Sequence, residues 1–304
     1  MIPLRKLIAT LALFALTVSA CSSSSAVLAT IGTDPDTVQI TESDVASLYA
    51  SDSIPAGDTL RNAIFALVAR EVLTTGAETD LGITIDQTVV DQLYDDLVAQ
   101  RDAQGVDTAT WLNIPDAGDG MIRFNADVAV LRDLVIKKLV DDPAYLDQLF
   151  ANPVPITTVC AKHILVATEL EAQDIVIQLL AGEDFAALAD AMSLDSSPGG
   201  DLGCRLAGAY VDDFATAAVE APLNEVTGPV ESRFGWHVII VSSRSVPTRD
   251  EVIADPLNRL TSAESSGLWE DWFNGQLEAA VVNVDPEIGT WSAAGIVPPI
   301  APTE

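Results

Sequence analysis

The sequence predicts an α+β chain in which a mixed unit stands between two helical stretches. Three observations predict it. Apolar residues recur at helical spacing through the first half. The run Asn152-Pro153-Val154-Pro155 then interrupts the pattern, because neither proline can continue a helix and each holds the residue before it extended. Beyond it, short β-like runs alternate with amphipathic ones until Pro247-Thr248 restarts helix.

The chain opens with Arg5 and Lys6 ahead of an apolar run over 7–18, too short for the roughly 20 residues that span a bilayer. Residues 1–20 therefore read as a signal segment. It closes with Val18-Ser19-Ala20-Cys21, which resembles the bacterial lipobox. That resemblance makes Cys21 the acylated residue, 21–35 a tether, and the location extracytoplasmic at a membrane surface. Two or more acyl chains on one residue suffice for stable anchoring.

After the tether comes a short β-like stretch and a helix start at Thr41, with Asp44 placed as a capping carboxylate. Helix follows over 58–79, with Ile64, Leu67, Val68 and Leu73 near helical spacing. Another starts at Asp86, an N-cap, and carries Val90, Leu93 and Leu97. A third, over 120–138, turns Ile122, Leu131, Leu134 and Val135 to one face; Pro143 breaks it and 145–150 form a short last helix. Residues 36–153 thus form a helical lobe.

The mixed unit, 156–246, starts with a strand over 157–166. Thr168 and Glu171 make a capping box for a helix with Ile175, Val176, Leu179 and Leu180 inward. Gly182 ends it, and a second helix with Phe185, Leu188 and Ala189 follows. Next come a glycine-rich loop over 193–203, a helix near 213–221 and a strand over 236–242. Thr248 and Glu251 then cap a C-terminal helix over 247–283, interrupted near Pro256 and carrying Trp269, Trp272, Phe273 and Leu277. Helix on both sides of the unit predicts that this last helix packs back on the first lobe. The Pro- and Gly-rich tail, 284–304, reads as extended.

Composition bounds the function. The chain has 304 residues and 49% hydrophobic content, enough for two cores. Its 15 basic and 45 acidic residues give a charge of −30, which excludes nucleic acid as a partner because phosphate neutralisation needs clustered Lys and Arg. The acids are dispersed, as on a solvated surface. Both histidines stand at the mouths of predicted strands, His163 in CAKHILVAT and His237 in FGWHVIIV, with the glycine loop between them. One site built from both strand ends is the natural reading. With Cys21 set aside, Cys160 and Cys204 remain. They pair as a disulfide in an exported chain, or join His163 and His237 in a Cys2His2 zinc site whose second ligand pair lacks a short knuckle.

Five motifs then occur in order: HILV at 163–166, GEDFAALA at 182–189, GGDLG at 199–203, GPV at 228–230 and FGWH at 234–237. The segment 159–244 that carries them resembles the parvulin family of peptidyl-prolyl cis/trans isomerases. The wider plan, with the ending VVNVDPEIGTW at 281–291, is similar to PrsA/SurA-type foldases. The resemblance implies a small antiparallel sheet with surrounding helices, inserted between the helical N-terminal lobe and the C-terminal helix. It also implies an isomerase and foldase for unfolded or nascent exported polypeptides containing X-Pro bonds, with no cofactor and no metal. The alternative is a non-catalytic holdase with a degenerate parvulin unit.

By the same resemblance Leu202, Tyr210 and Phe214 line the proline pocket, Asp195 lies beside the amide, and Ser232 replaces the usual threonine. His163 and His237 form a pair hydrogen-bonded across the sheet, with either a catalytic or a structural role. Tyr210 stands where methionine is common and narrows the pocket, and the loop from Asp195 to Gly199 is shortened. Cys204 and Arg205 replace an aromatic pair, and a Cys160–Cys204 disulfide would brace the loop in its place. Phosphate-directed members carry a basic cluster where this chain has Thr168-Glu169-Leu170-Glu171, so the substrate is unmodified polypeptide.

Overall fold

The computed structural model describes residues 25–33, 37–50 and 54–300. The signal segment, Cys21 and the start of its tether lie outside them.

Strands β1 (Val27–Ile31) and β2 (Val38–Thr41) pair antiparallel, and a short helix α1 (Glu42–Ala46) leaves β2 through a capping box. There the Asp44 carboxylate accepts from the Thr41 N–H at 2.7 Å. Helix α2 (Gly57–Leu81) buries Ile64, Leu67, Val68 and Leu73, and ends at Gly82 in the left-handed region, φ 66°, where a side chain is strained. Asp86 opens α3 (Gln87–Gln104) by accepting from Thr88 N at 2.9 Å. A turn of helix not expected from the sequence follows, α4 (Thr108–Leu112), capped by Asp107. Helix α5 (Asp119–Val140) buries Ile122, Leu131 and Val135, and Pro143 starts rather than merely stops a helix, α6 (Pro143–Ala151), because its missing N–H costs nothing at the first position.

The central unit comprises β3 (Thr158–Val166), α7 (Glu169–Leu180), α8 (Phe185–Met192), β4 (Asp201–Leu206), α9 (Asp212–Glu220), β5 (Val226–Ser232) and β6 (Gly235–Ser245). Its sheet runs β4-β3-β6-β5, antiparallel throughout. The α+β class and the small antiparallel sheet hold. The outer strands β4 and β5 are not predicted from the sequence pattern. The two faces are covered by different helices. Ile164, Val166 and Val238 pack under α7 and α8, while Val159, Ala161, Ile239 and Val241 pack under Phe214, Ala215 and Ala218 of α9.

Cys160 and Cys204 are direct cross-strand partners on β3 and β4 and are joined as a disulfide. Their sulfurs are bonded to each other, so the zinc reading of the four Cys and His residues does not describe this arrangement.

The chain then returns to helix in three pieces, α10 (Arg249–Ala254), α11 (Pro256–Arg259) and α12 (Ser262–Ala279), where one interrupted helix was expected. The extra break lies at Leu260-Thr261, where a second capping box, Thr261 with Glu264, restarts the helix. Trp269, Trp272 and Phe273 of α12 pack with Leu73, Leu131 and Val135 of α2 and α5. Strand β7 (Val282–Val284) adds to β1, completing the sheet β2-β1-β7. The tail is not simply extended: β8 (Thr290–Ser292) and β9 (Gly295–Val297) form a hairpin. Trp291 stacks on Phe65 at 5.2 Å between centroids and Ile296 is buried in the same cluster, so packing on α2 fixes a segment whose composition reads as extended. Among the described residues no helix is long and apolar enough to cross a membrane.

Candidate active site

The site grows from the register of β3 and β6. His163 faces Ile239 and His237 faces Leu165, so the two histidines are diagonal neighbours on one face of the sheet. Both are buried, and their Nδ1 atoms lie 3.2 Å apart. Ser232, the last residue of β5, brings its Oγ to 2.7 Å from His237 Nε2. At the other end His163 Nε2 faces Asp195 Oδ1 at 3.6 Å, an electrostatic contact longer than a hydrogen bond.

Glycine makes this geometry possible. Gly200 has φ 69°, and a Cβ there would run into the His163 carbonyl oxygen, so the loop can lie against β3 only without a side chain. Ser193 ties the same loop down from the other side. Its Oγ accepts from Leu165 N at 3.1 Å and from Asp195 N at 3.2 Å. Asp195 is then oriented by its own turn, accepting from Ser197 N at 2.8 Å.

The proton positions follow from this arrangement. Asp195 offers only acceptors, and its charge favours the tautomer in which His163 carries its proton on Nε2 and leaves Nδ1 bare. His237 therefore donates from Nδ1 to His163, and its bare Nε2 accepts from the Ser232 hydroxyl. That hydroxyl in turn accepts from Phe234 N at 3.1 Å. This assignment satisfies the His163–His237 and Ser232–His237 contacts and directs the donors toward Asp195. Burial lowers the pKa of both imidazoles. For His163, Asp195 opposes the shift; for His237, burial and the neighbouring His163 bring the value down to about 4. The pair is neutral at pH 7. Hydrogen bonds from Ser197 hold the Asp195 carboxyl below the usual range, with a smaller contribution from His163.

Above the histidines Phe214 closes the pocket. It is 2% exposed, with its ring 5.6 Å from His163 and 5.2 Å from His237 in edge-on contacts. Tyr210 packs on Phe214 at 4.8 Å, and burial raises the pKa of its hydroxyl, which has no hydrogen-bond partner among the described residues. With Leu202 these residues line a cleft of about 870 Å³ that also contains His163, Asp195 and His237.

Residues 161–243 match the rotamase family model, described as the PPIC-type PPIASE domain. The segment is a parvulin-type domain. The chain is 35% identical over 130 residues to "Foldase protein PrsA" of Caldanaerobacter subterraneus subsp. tengcongensis, an alignment covering 42% of each protein. It is 36% identical over 169 residues to "Foldase protein PrsA" of Halalkalibacterium halodurans, covering 51% of this chain and 49% of that one. The chain thus spans about half the length of these relatives or less. A crystal structure of peptidylprolyl isomerase (PrsA) from Bacillus anthracis aligns with 22% identity and a TM-score of 0.46, over 70% of this chain and 95% of that one.

In the parvulin-type domain all seven residues singled out for catalysis or substrate binding meet at one place. Six of them line the cleft, and Ser232 reaches it through His237. Cys160 and Cys204 lie to one side, at the β3–β4 edge. Sequence reasoning missed Ser193, whose only signal was its place at the head of the glycine loop. It also missed Arg205, Arg233 and Phe234 as lining residues. Phe234 stands within FGWH yet is 58% exposed, and an exposed rim position leaves no periodic trace in sequence.

Proposed function

We propose that this protein is a peptidyl-prolyl cis/trans isomerase and foldase that acts on unfolded exported polypeptides and is held at the outer face of a membrane by acylated Cys21. The observation that carries the catalytic part is the neutral hydrogen-bonded line Ser232–His237–His163, facing Asp195 on the floor of a cleft walled by Leu202, Tyr210 and Phe214.

The reaction needs no nucleophile. Rotation about a prolyl amide is slow because resonance must be broken, against a barrier of ~18–20 kcal/mol. Leu202, Tyr210 and Phe214 hold the proline ring and exclude water from the amide. The fixed negative charge of Asp195, set beside the carbonyl, opposes the build-up of charge on oxygen that accompanies planarity and so favours the twisted state. The neutral histidine pair holds that carboxylate's surroundings without itself transferring a proton. A thousandfold acceleration asks for only ~4 kcal/mol.

The test is cis/trans exchange of short X-Pro peptides by NMR, with wild type, Asp195→Ala and His237→Ala. Acceleration by wild type that falls in both variants is the expected result; no acceleration by wild type would sink the enzyme reading. Incorporation of labelled palmitate, lost in Cys21→Ala, checks the anchor. A second reading, a holdase with an inactive cleft, is favoured by one observation: the Tyr210 ring lies on Phe214 and takes up part of the slot. Tyr210→Met separates the two, since it would raise exchange if the tyrosine obstructs the proline.

A further inference from the structure

The chain is strongly acidic, and nearly all of its described arginines are engaged. Most sit against a carboxylate, and Arg244 donates to the carbonyls of Val219 and Ala221. Arg205 and Arg233 differ. Among the described residues neither has a carboxylate within ion-pair distance, and both line the cleft. Arg205 stands on β4 three residues beyond Leu202, close enough to Tyr210 to act on its hydroxyl. Arg233 stands in the β5–β6 turn, with its guanidinium over the Phe234 ring at 4.8 Å. A guanidinium supported on an aromatic face keeps its N–H groups free at the edge, the arrangement suited to a carboxylate.

The cleft's own carboxylates do not meet this need. Asp195 is taken up by Ser197 and faces His163. Asp201 accepts from Gly203 N at 2.9 Å. Asp212 and Asp213 occupy the first turn of α9, where negative charge stabilises the helix N-terminus. Where carboxylates outnumber cations three to one overall, two unpaired arginines at the mouth of one cleft mark a place for an incoming anion.

We propose that Arg205 and Arg233 are specificity residues that select client segments carrying an acidic residue directly beside the proline. The proposal rests on the isomerase reading for the cleft, and deepens it by naming the substrate class. An exposed ion pair contributes modestly, so the expected preference is about two- to fivefold for each arginine. It falls in high salt, because the Debye length drops to ~3 Å at 1 M.

The experiment uses the full-length protein and four peptides: Ala-Glu-Pro-Phe, Ala-Ala-Pro-Phe, Ala-Lys-Pro-Phe and Ala-Ala-Pro-Glu. NMR gives both the exchange rate and, from shift titrations, the dissociation constant. Wild type should favour at least one Glu peptide over the Lys peptide in both measures. The ratio should shrink in Arg205→Gln and Arg233→Gln and approach one in the double variant, whose amide spectrum checks its fold. Exchange of the Ala peptide without any Glu preference overturns the arginine rim and leaves the isomerase reading standing. If no peptide is accelerated the isomerase reading fails, and the binding titration alone decides the rim: equal affinity for Glu and Lys peptides overturns it.

Discussion

The buried histidine pair makes a strong prediction about acid. A free imidazole titrates near 6.5, and His237 in the folded domain near 4. Above pH 6.5 it is neutral both folded and unfolded, and proton binding does not affect folding. Between 6.5 and about 4 the unfolded chain takes up a proton that the folded site refuses, so stability falls as pH falls. Below about 4 the folded state binds the proton too, and the loss stops. At ~1.4 kcal/mol for each tenfold change in proton affinity, the loss is about 2 kcal/mol by pH 5 and about 3 kcal/mol at its limit. At a urea dependence of roughly 2 kcal/mol per molar, the midpoint moves down by about 1.5 M. Urea titrations followed through the amide resonances of β3 and β6 measure this, with His237→Gln as the reference that keeps every carboxylate and removes this titration. Imidazole shifts in the native protein measure the folded value directly. Two results would refute the reasoning: a folded His237 that titrates near 6.5, or wild type and His237→Gln losing stability in parallel from pH 7 to 4.5.

Three further outcomes follow from contacts in the same domain. Ser232→Ala leaves His237 Nε2 and Phe234 N–H without their partner, at about 1–3 kcal/mol of domain stability, and lowers catalysed exchange. Ser232→Thr keeps the hydroxyl and should restore both, as denaturation curves and exchange rates would show. Gly200→Ala combines a left-handed backbone with a collision at the His163 carbonyl and should lower the melting temperature sharply, while Gly267→Ala, in open space on α12, should not. Cys204→Ser opens a loop spanning 44 residues of sequence and should cost about 2–4 kcal/mol. Reductant should reproduce that loss in wild type and do nothing further to the variant in thermal melts.

Much of this was legible because it is local. The boxes at Thr41/Asp44, Thr168/Glu171 and Thr248/Glu251 each need only two side chains three residues apart, and all three form. The histidine site was legible for another reason: a chain with two histidines, each in a β-like run flanking the glycine loop, offers few other arrangements, although His163 lies within β3 and not at its mouth. What stayed hidden depends on partners distant in sequence. Strand β4 buries no residue, so it shows no alternation, and it exists because β3 supplies its hydrogen bonds. The hairpin of β8 and β9 depends on Phe65, more than two hundred positions earlier. The capping box at Thr261 is local too, but it lies only five residues beyond Pro256, whose break is the stronger signal in sequence. Ser193 looks like any loop serine until its hydroxyl is found between two backbone N–H groups.

The floor and the wall of the cleft are fixed by different parts of the molecule. The histidines stand on β3 and β6, the two central strands, and their separation is set by sheet register. Tyr210 instead follows the turn 207–210, which is bonded to the chain entering the domain. Ala207 N donates to Thr157 O at 2.7 Å and Gly208 N to Pro155 O at 3.3 Å. A Cβ on Gly208 would lie 2.8 Å from Pro155 Cα and from Thr261 Cγ2, so this turn is seated against the N-cap of α12. Ile156, between those contacts, is buried with Ile136, Val140, Val252 and Leu260 from the flanking helices. The cleft is therefore bounded on one side by the sheet and on the other by the junction with the helical elements. A shift of α12 that leaves the histidine pair intact would still bear on the turn that carries Tyr210, because Thr261 lies directly against Gly208.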